Sequence, residues 1–409
     1  MLTKSTNSNH RSKASWVTVA TLIVLVCVPL AFAQDKKAAK KSAPAAAPVM
    51  DLSKLVWPPL PDVGRIRYLT AVTGEEDINP SIKKRKASWM DRMAGVSLPG
   101  EQGKLALRKP YGIAVDSKGA IYVADPGVAM IFVFDLDGKK VSYRGRQQVN
   151  TPSGLAIDDS DRLFVTDSTQ HVVLCFKPDG SLETSFGREK LAKPVGVAID
   201  LENRYLYVAD VDLDKIFVFD VDTYRLVRTF GQRSDATLAP GTFDRPTNLA
   251  VDSDSNVYVV DTFNNRIQVF DADGQFVRMF GKQGNVAGAF MRPKGIAIDA
   301  DGHVYVVDAE FNNVQVFDAD GRVLMFFGDR GDRPGTFTLA AGIAIDQNNR
   351  VIVSEQWTGR IQLFRYVTDA EAKPAYDKQA AERAAREAVE RKAAEEQEQQ
   401  KNAGTGKGQ

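Results

Sequence analysis

The chain has 409 residues, 44% hydrophobic and 26% charged, the composition of an ordinary soluble globular protein. Its net charge of +1 excludes a global electrostatic pull toward nucleic acid or an anionic membrane. Length alone would allow several domains, but internal repetition overrules that expectation.

Residues 1–33 read as an address. Lys4, Arg11 and Lys13 precede an apolar run from Trp16 to Ala33 that ends in Ala31-Phe32-Ala33, a small-x-small cleavage site. This predicts a secretory signal, with an uncleaved membrane anchor as the alternative. The expected location is the periplasm or cell envelope, or outside the cell. Cys27 leaves with a cleaved signal, so Cys175 is then alone and no internal disulfide forms. Cys175 lies in VVLCF, an alternating apolar run, and reads as a buried strand residue. The chain has no C-x-x-C-H for covalent haem attachment.

Residues 34–63 read as a linker, rich in Lys, Ala and Pro over 34–50. The stretch GRIRYLTAVT at 64–73 resembles the last strand of a sheet rather than the first. An insertion follows at 74–109. Within it, Lys83, Lys84, Arg85 and Lys86 precede Trp89, Met90 and Met93, a spacing that fits a short amphipathic helix over 81–95. Such a helix could grip an acidic partner or an anionic membrane surface, or lie on the fold as a cap with its basic side solvated.

One sentence then recurs: PYGIAVD (110–116), PSGLAID (152–158), PVGVAID (194–200), PTNLAVD (246–252), PKGIAID (293–299) and a worn AAGIAID (340–346). A period of ~40–50 residues built from short strands predicts a β-propeller. Repeats beginning at Pro110, Pro152, Pro194, Pro246 and Pro293 each hold four strands, with Asp-Ala-Asp-Gly hairpin turns at 271–274 and 318–321. The repeat starting near Ala340 supplies only three. The surplus strand at 65–72 supplies the fourth, pairing with 361–367 and removing an open edge. The predicted fold is an all-β, six-bladed propeller over 64–367. Beyond it, 368–409 is rich in Ala, Glu, Lys and Arg; it reads as an exposed charged helix without an apolar stripe, ending in a disordered GTGKGQ.

The segments VDTFNNRIQVFDADG (260–274), VDAEFNNVQVFDADG (307–321) and RPKGIAIDADGHVYVVD (292–308) resemble the NHL repeat. With WPPLPDVGRIRYL leading in, the arrangement is similar to bacterial exported six-bladed NHL propellers. The resemblance implies architecture. Relatives of that fold include interaction platforms, RNA binders, an amidating lyase and lactonase-like enzymes, so it does not choose a function. The chain departs from the pattern at Ala340, at Asn248 in place of Gly, and at Glu355 in place of the second-strand Asp.

In a propeller, the fourth-to-first and second-to-third strand connections share one face, here called upper. The longer, more varied loops fall there, which makes it the expected binding face. Phe263, Phe311 and Trp357 occupy equivalent loop positions in three successive blades, beside Asn264, Asn265, Arg266, Asn312, Asn313 and Arg360. Aromatic and Arg anchors suit a partner protein or polar ligand; the competing expectation is that the polar set braces each turn and the aromatics fill gaps between blades.

Catalytic chemistry is thinly supported. Outside the signal the histidines are His171 and His303, expected on opposite faces, so a three-histidine zinc site is not available. No Ser sits in a nucleophile elbow. Asp299, Asp301 and Glu310 mimic a calcium loop, but a strand over 304–308 carries Glu310 away. Asp212, Asp214, Glu310 and Glu355 form the one acidic set to test as a cluster. The sequence thus predicts a non-enzymatic envelope scaffold without cofactor or metal, holding another exported protein through its upper loops. A metal-dependent, lactonase-like hydrolase or lyase with a channel site is the alternative. Nucleic acid is not an expected partner.

Overall fold

The computed structural model describes residues 51–59, 62–79, 105–235 and 238–405. Five antiparallel four-stranded sheets follow one another along the chain, and a sixth combines strands from both ends. Their innermost strands, beginning with Ile113–Val115 and then Pro152–Ile157, Pro194–Asp200, Pro246–Val251, Pro293–Ile298 and Ala340–Ile345, contact one another in ring order. The last touches the first, so the ring closes. The sheets are numbered blades one to six in that order.

The second and third strands of every blade are almost wholly buried, because each sheet has a neighbour on both faces. Aromatic residues fill the space between blades, Phe164, Phe217 and Phe219 between blades two and three for example. Cys175 is buried there, as expected, and burial pushes its thiol up to about 11.

The recurrent sentence has a mechanical meaning at each position. Its Asp brackets the turn between first and second strands: Asp252 Oδ1 accepts from the backbone N–H of Asp254 (3.0 Å) and Asn256 (2.8 Å), and Asp346 does the same for Asn348 and Arg350. Its Gly permits close approach between blades. A Cβ at Gly342 would lie 2.0 Å from the carbonyl oxygen of Tyr111 in blade one, and the equivalent glycines meet the next blade's carbonyl in the same way.

In blade six, Ile66–Val72 runs antiparallel to Arg360–Tyr366, with Ile66 opposite Tyr366 and Val72 opposite Ile361. Ser354 Oγ ties this blade to the next by donating to the Tyr111 carbonyl at 2.7 Å.

The folded region begins earlier than the linker reading of 34–63 allowed. Val56–Trp57 pairs with Arg67 and Ile66 as a fifth strand. The reason is apolar burial: the Trp57 ring lies 5.9 Å from Phe364 and 6.3 Å from Phe327. The C-terminal helix, Asp369–Thr405, also differs from expectation, reaching into the GTGKGQ segment. It has a small apolar foothold, Ala372 being buried and Tyr376 half-buried one turn on. Both line a groove of about 1080 Å³ with Val56, Pro58 and Pro59.

Of the 74–109 insertion, its two ends are described. Gly74 bridges Ala106, and Ile78 and Leu107 are buried against blade one. The basic stretch with Lys83, Lys84, Arg85, Lys86 and Trp89 lies outside the described residues, as do the signal segment and 34–50. Among the described residues no helix is long and apolar enough to cross a membrane.

Gly342→Ala is expected to destabilise the protein by ~1–3 kcal/mol through overpacking at the seam between blades six and one. Urea unfolding checks this, and an unchanged midpoint would mean the blades separate there without cost.

Candidate functional site

Each second strand ends in a fully buried carboxylate: Asp125, Asp167, Asp210, Asp261, Asp308 and Glu355. Its oxygens collect N–H groups from the two loops on the upper face. Asp308 accepts from Met291 and Arg292 in one loop and from Glu310 and Phe311 in the other. Asp125, Asp167 and Asp210 repeat the pattern. The loops also bond directly, Ala309 N–H to Arg292 O at 3.0 Å and Gln356 N–H to Leu339 O at 3.1 Å. One buried acid per blade thereby holds both loops on a common rim.

Blades four to six add a second layer that sequence inspection missed. Buried Gln268, Gln315 and Gln362 each accept from a glycine N–H in the preceding loop (Gly241, Gly288 and Gly335, all 2.9 Å) and donate back to a carbonyl one residue on. The same loops bury Phe243, Phe290 and Phe337 between blades. The available signal was a recurring Gly-x-Phe at 241–243, 288–290 and 335–337.

This network decides the fate of the predicted site residues. Arg266 is buried; its Nε donates to Asp261 at 2.8 Å and its Nη atoms to the carbonyls of Leu238 and Thr242. Arg360 repeats this on Glu355 and the carbonyls of Asp332 and Thr336. Asn264 donates to Asp261. Buried Asn312 accepts from Leu339 N–H at 2.8 Å, joining blade five to blade six. Arg266, Arg360 and Asn264 are braces rather than surface contacts, because a buried carboxylate must be met by donors, and Asn312 braces by tying backbone groups of two loops. Burial raises the Asp261 pKa, and the donors oppose that shift.

The aromatics fare differently. Phe263 is 54% and Trp357 77% exposed, while Phe311 is half-buried. The Arg245 guanidinium covers the Phe263 ring at 5.3 Å. The three rings lie on adjoining blades but not at equivalent positions: Phe263 and Trp357 stand two residues after their blade's buried acid, whereas Phe311 stands three after Asp308, at the place Asn264 takes in blade four.

The acidic set does not assemble. Asp214 is buried and held by Arg233 and the Arg245 N–H, Glu355 is committed to Arg360, and Glu310 sits 3.8 Å from Arg292. Among the described residues no three His, Cys, Asp or Glu side chains come together as metal ligands. His303 binds Asp299 at 2.9 Å in its own turn, and His171 meets the Ala192 carbonyl. Asp299 serves the turn as well, accepting from Asp301, His303 and Tyr305.

At the channel entrance stand the residues that follow each first-strand proline. Tyr111, in blade one, receives a 3.1 Å hydrogen bond from Asn248 Nδ2 in blade four, its opposite in the ring. Asn248 also donates to the Lys294 carbonyl at 3.0 Å. Burial raises the Tyr111 phenol to about 12. Lys294 is half-buried, and burial, with the nearby Arg292 charge, lowers its pKa.

A family model described as a 6-bladed beta-propeller matches residues 246–310. No curated protein matches the chain. Among solved structures, an auxiliary nutrient binding protein from Bacteroides thetaiotaomicron VPI-5482 is similar, with TM-score 0.52 and 14% identity over 64% of this chain and 70% of that one. A protein of unknown function from the same organism gives TM-score 0.51 and 18% identity over 63% and 70%. A streptogramin B lyase gives 0.50 and 14% over 64% and 94%. At such identities the likeness is one of fold, and the chain is a six-bladed β-propeller.

Arg266→Ala is expected to cost ~3–5 kcal/mol by leaving Asp261 unpaired, whereas Phe263→Ala should stay within about 1 kcal/mol; chemical unfolding of both separates brace from surface. Lys294→Met should raise the unfolding midpoint at neutral pH, since it removes a charge whose burial opposes folding. Because the folded pKa lies below the unfolded one, the advantage should shrink as pH climbs through that interval toward the ordinary lysine value of 10.5. Thermal melts across alkaline pH check the sign.

Proposed function

We propose that this propeller is a non-enzymatic scaffold of NHL type, exported to the cell envelope, that holds another exported protein against its upper face. The observation that supports this reading best is the set of Phe263, Phe311 and Trp357. The frame beneath is densely hydrogen-bonded, with Asn265 Oδ1, Asn313 Oδ1 and Thr358 Oγ1 as its unmatched buried atoms, so the rings sit on braced supports and lose little entropy on binding. A large exposed Trp on the same rim as an Arg-covered Phe is the composition of an interface anchor. Arg266, Arg360, Asn264 and Asn312 act in this reading as the supports, and the basic 81–95 segment as a second contact.

The alternative, a metal-dependent hydrolase or lyase working in the channel, draws on the fold shared with the streptogramin B lyase. It lacks a converging ligand set among the described residues and is the weaker reading.

Affinity capture from envelope extract tests the scaffold. The protein should retain a specific partner that is lost in the triple variant Phe263→Ala, Phe311→Ala and Trp357→Ala, whose melting curve stays close to the parent's. Undiminished capture by the folded triple variant would remove the aromatic set from the argument.

A further inference from the structure

The residue just before each first-strand proline sits at an equivalent point of the ring. Around the circle these are Lys109, Thr151, Lys193, Arg245, Arg292 and, before Ala340, Leu339. Four of the six are basic. Their backbones are pinned: Lys109, Lys193 and Arg292 give their N–H to the buried carboxylate of their own blade, and Arg245 gives its N–H to Asp214 at 2.7 Å. All four side chains are exposed. Arg292 has a 3.8 Å ion pair with Glu310, and Arg245 lies over Phe263. Lys109 and Lys193 have no ion-pair partner among the described residues. Besides the buried carboxylates, the acidic side chains on the described parts of the same loops are Glu189, Asp212, Asp235, Asp244 and Glu310, with Glu75, Glu76 and Asp77 at the far end of the blade-one connection.

Inside this collar stands Lys294. It is half-buried, one residue past the proline, makes no ion pair among the described residues, and the charge that acts on it is the Arg292 guanidinium. A cation withdrawn from water without a counter-charge costs stability, and the cost is relieved when an anion arrives. The Tyr111 phenol points the same way. Asn248 Nδ2 can only donate, so the phenol oxygen accepts that bond and its own proton is left to donate. No acceptor for that proton is present among the described residues. Tyr111 reaches Asn248 across the ring, and Asn248 also holds the Lys294 backbone, so the hydroxyl and the lysine belong to one hydrogen-bonded unit.

We propose that the upper mouth of the channel is a binding site for a small anion, a carboxylate or phosphate headgroup. Lys294 is its ion-pair partner and Tyr111 its hydroxyl donor, while Lys109, Lys193, Arg245 and Arg292 draw it in. This site shares Arg245 with the aromatic set, whose Phe263 that guanidinium covers, but its ion pair and hydroxyl donor do not depend on those rings.

Titration calorimetry of the full chain with two probes, inorganic phosphate and propionate, tests the site and separates the two headgroups. Saturable one-to-one binding of either probe is expected, weakening with added salt. Lys294→Met should weaken it at least about tenfold, with Lys294→Gln as the second variant if the first does not fold, and Tyr111→Phe several-fold. Lys294→Arg should retain it. The double change Lys109→Ser, Lys193→Ser should flatten the salt dependence, and the Phe263, Phe311, Trp357 triple variant should bind as the parent does. Absence of binding by the parent protein to both probes at 10-fold molar excess over millimolar protein, or unchanged binding in both Lys294 variants, would overturn the proposal.

Discussion

The architecture depends on a carboxylate buried at the upper end of every second strand. A charge in that position is unfavourable unless donors surround it. The donors nearest to hand are backbone N–H groups of two loops that have no sheet partner of their own. Each acid therefore converts two irregular connections into fixed ones, and six acids make a rim. In blade six the longer Glu355 does the same work by engaging Thr338 N–H, Arg360 and Gln362 together.

The ring is not uniform. Blades four and six reinforce the carboxylate with a buried glutamine and a buried arginine, whereas in blade five Gln315 braces the preceding loop alone. The longer upper loops of all three tuck a phenylalanine between sheets. Polar atoms spent on this bracing are withdrawn from the surface, and what emerges from the same loops is aromatic. Blades two and three have shorter loops, blade one is preceded by the 74–109 insertion, and the pinned positions of blades one and three carry the lysines Lys109 and Lys193. On the upper face the exposed or half-buried aromatics thus fall in blades four to six, and the lysines Lys109 and Lys193 in blades one and three.

Much of this was legible in the chain. The repeated Pro-x-Gly-x-Ala-x-Asp located every inner strand, and the incomplete last repeat with the orphan strand before the first located the shared blade. The site was legible by position but not by role. Phe263, Phe311 and Trp357 could be placed on one rim by counting strands. Arg266 and Arg360 could not be sorted from surface contacts, because an Arg five residues after an acid looks the same whether it faces water or a buried carboxylate. Trp57 illustrates the converse error: by sequence it groups with the Lys/Ala/Pro stretch that precedes it as linker, yet its ring packs near Phe327 and Phe364.

The amino-acid sequence determined the blade count, the strand order and the side on which each loop emerges, since these follow from local turn chemistry repeated at a fixed period. Only the closed ring decided which polar groups are neighbours. Tyr111 and Asn248 are distant along the chain and belong to opposite blades, and Asn248 also meets the Lys294 carbonyl of the blade beside it. Those relations are set by long-range packing, for which a one-dimensional pattern carries no local signal.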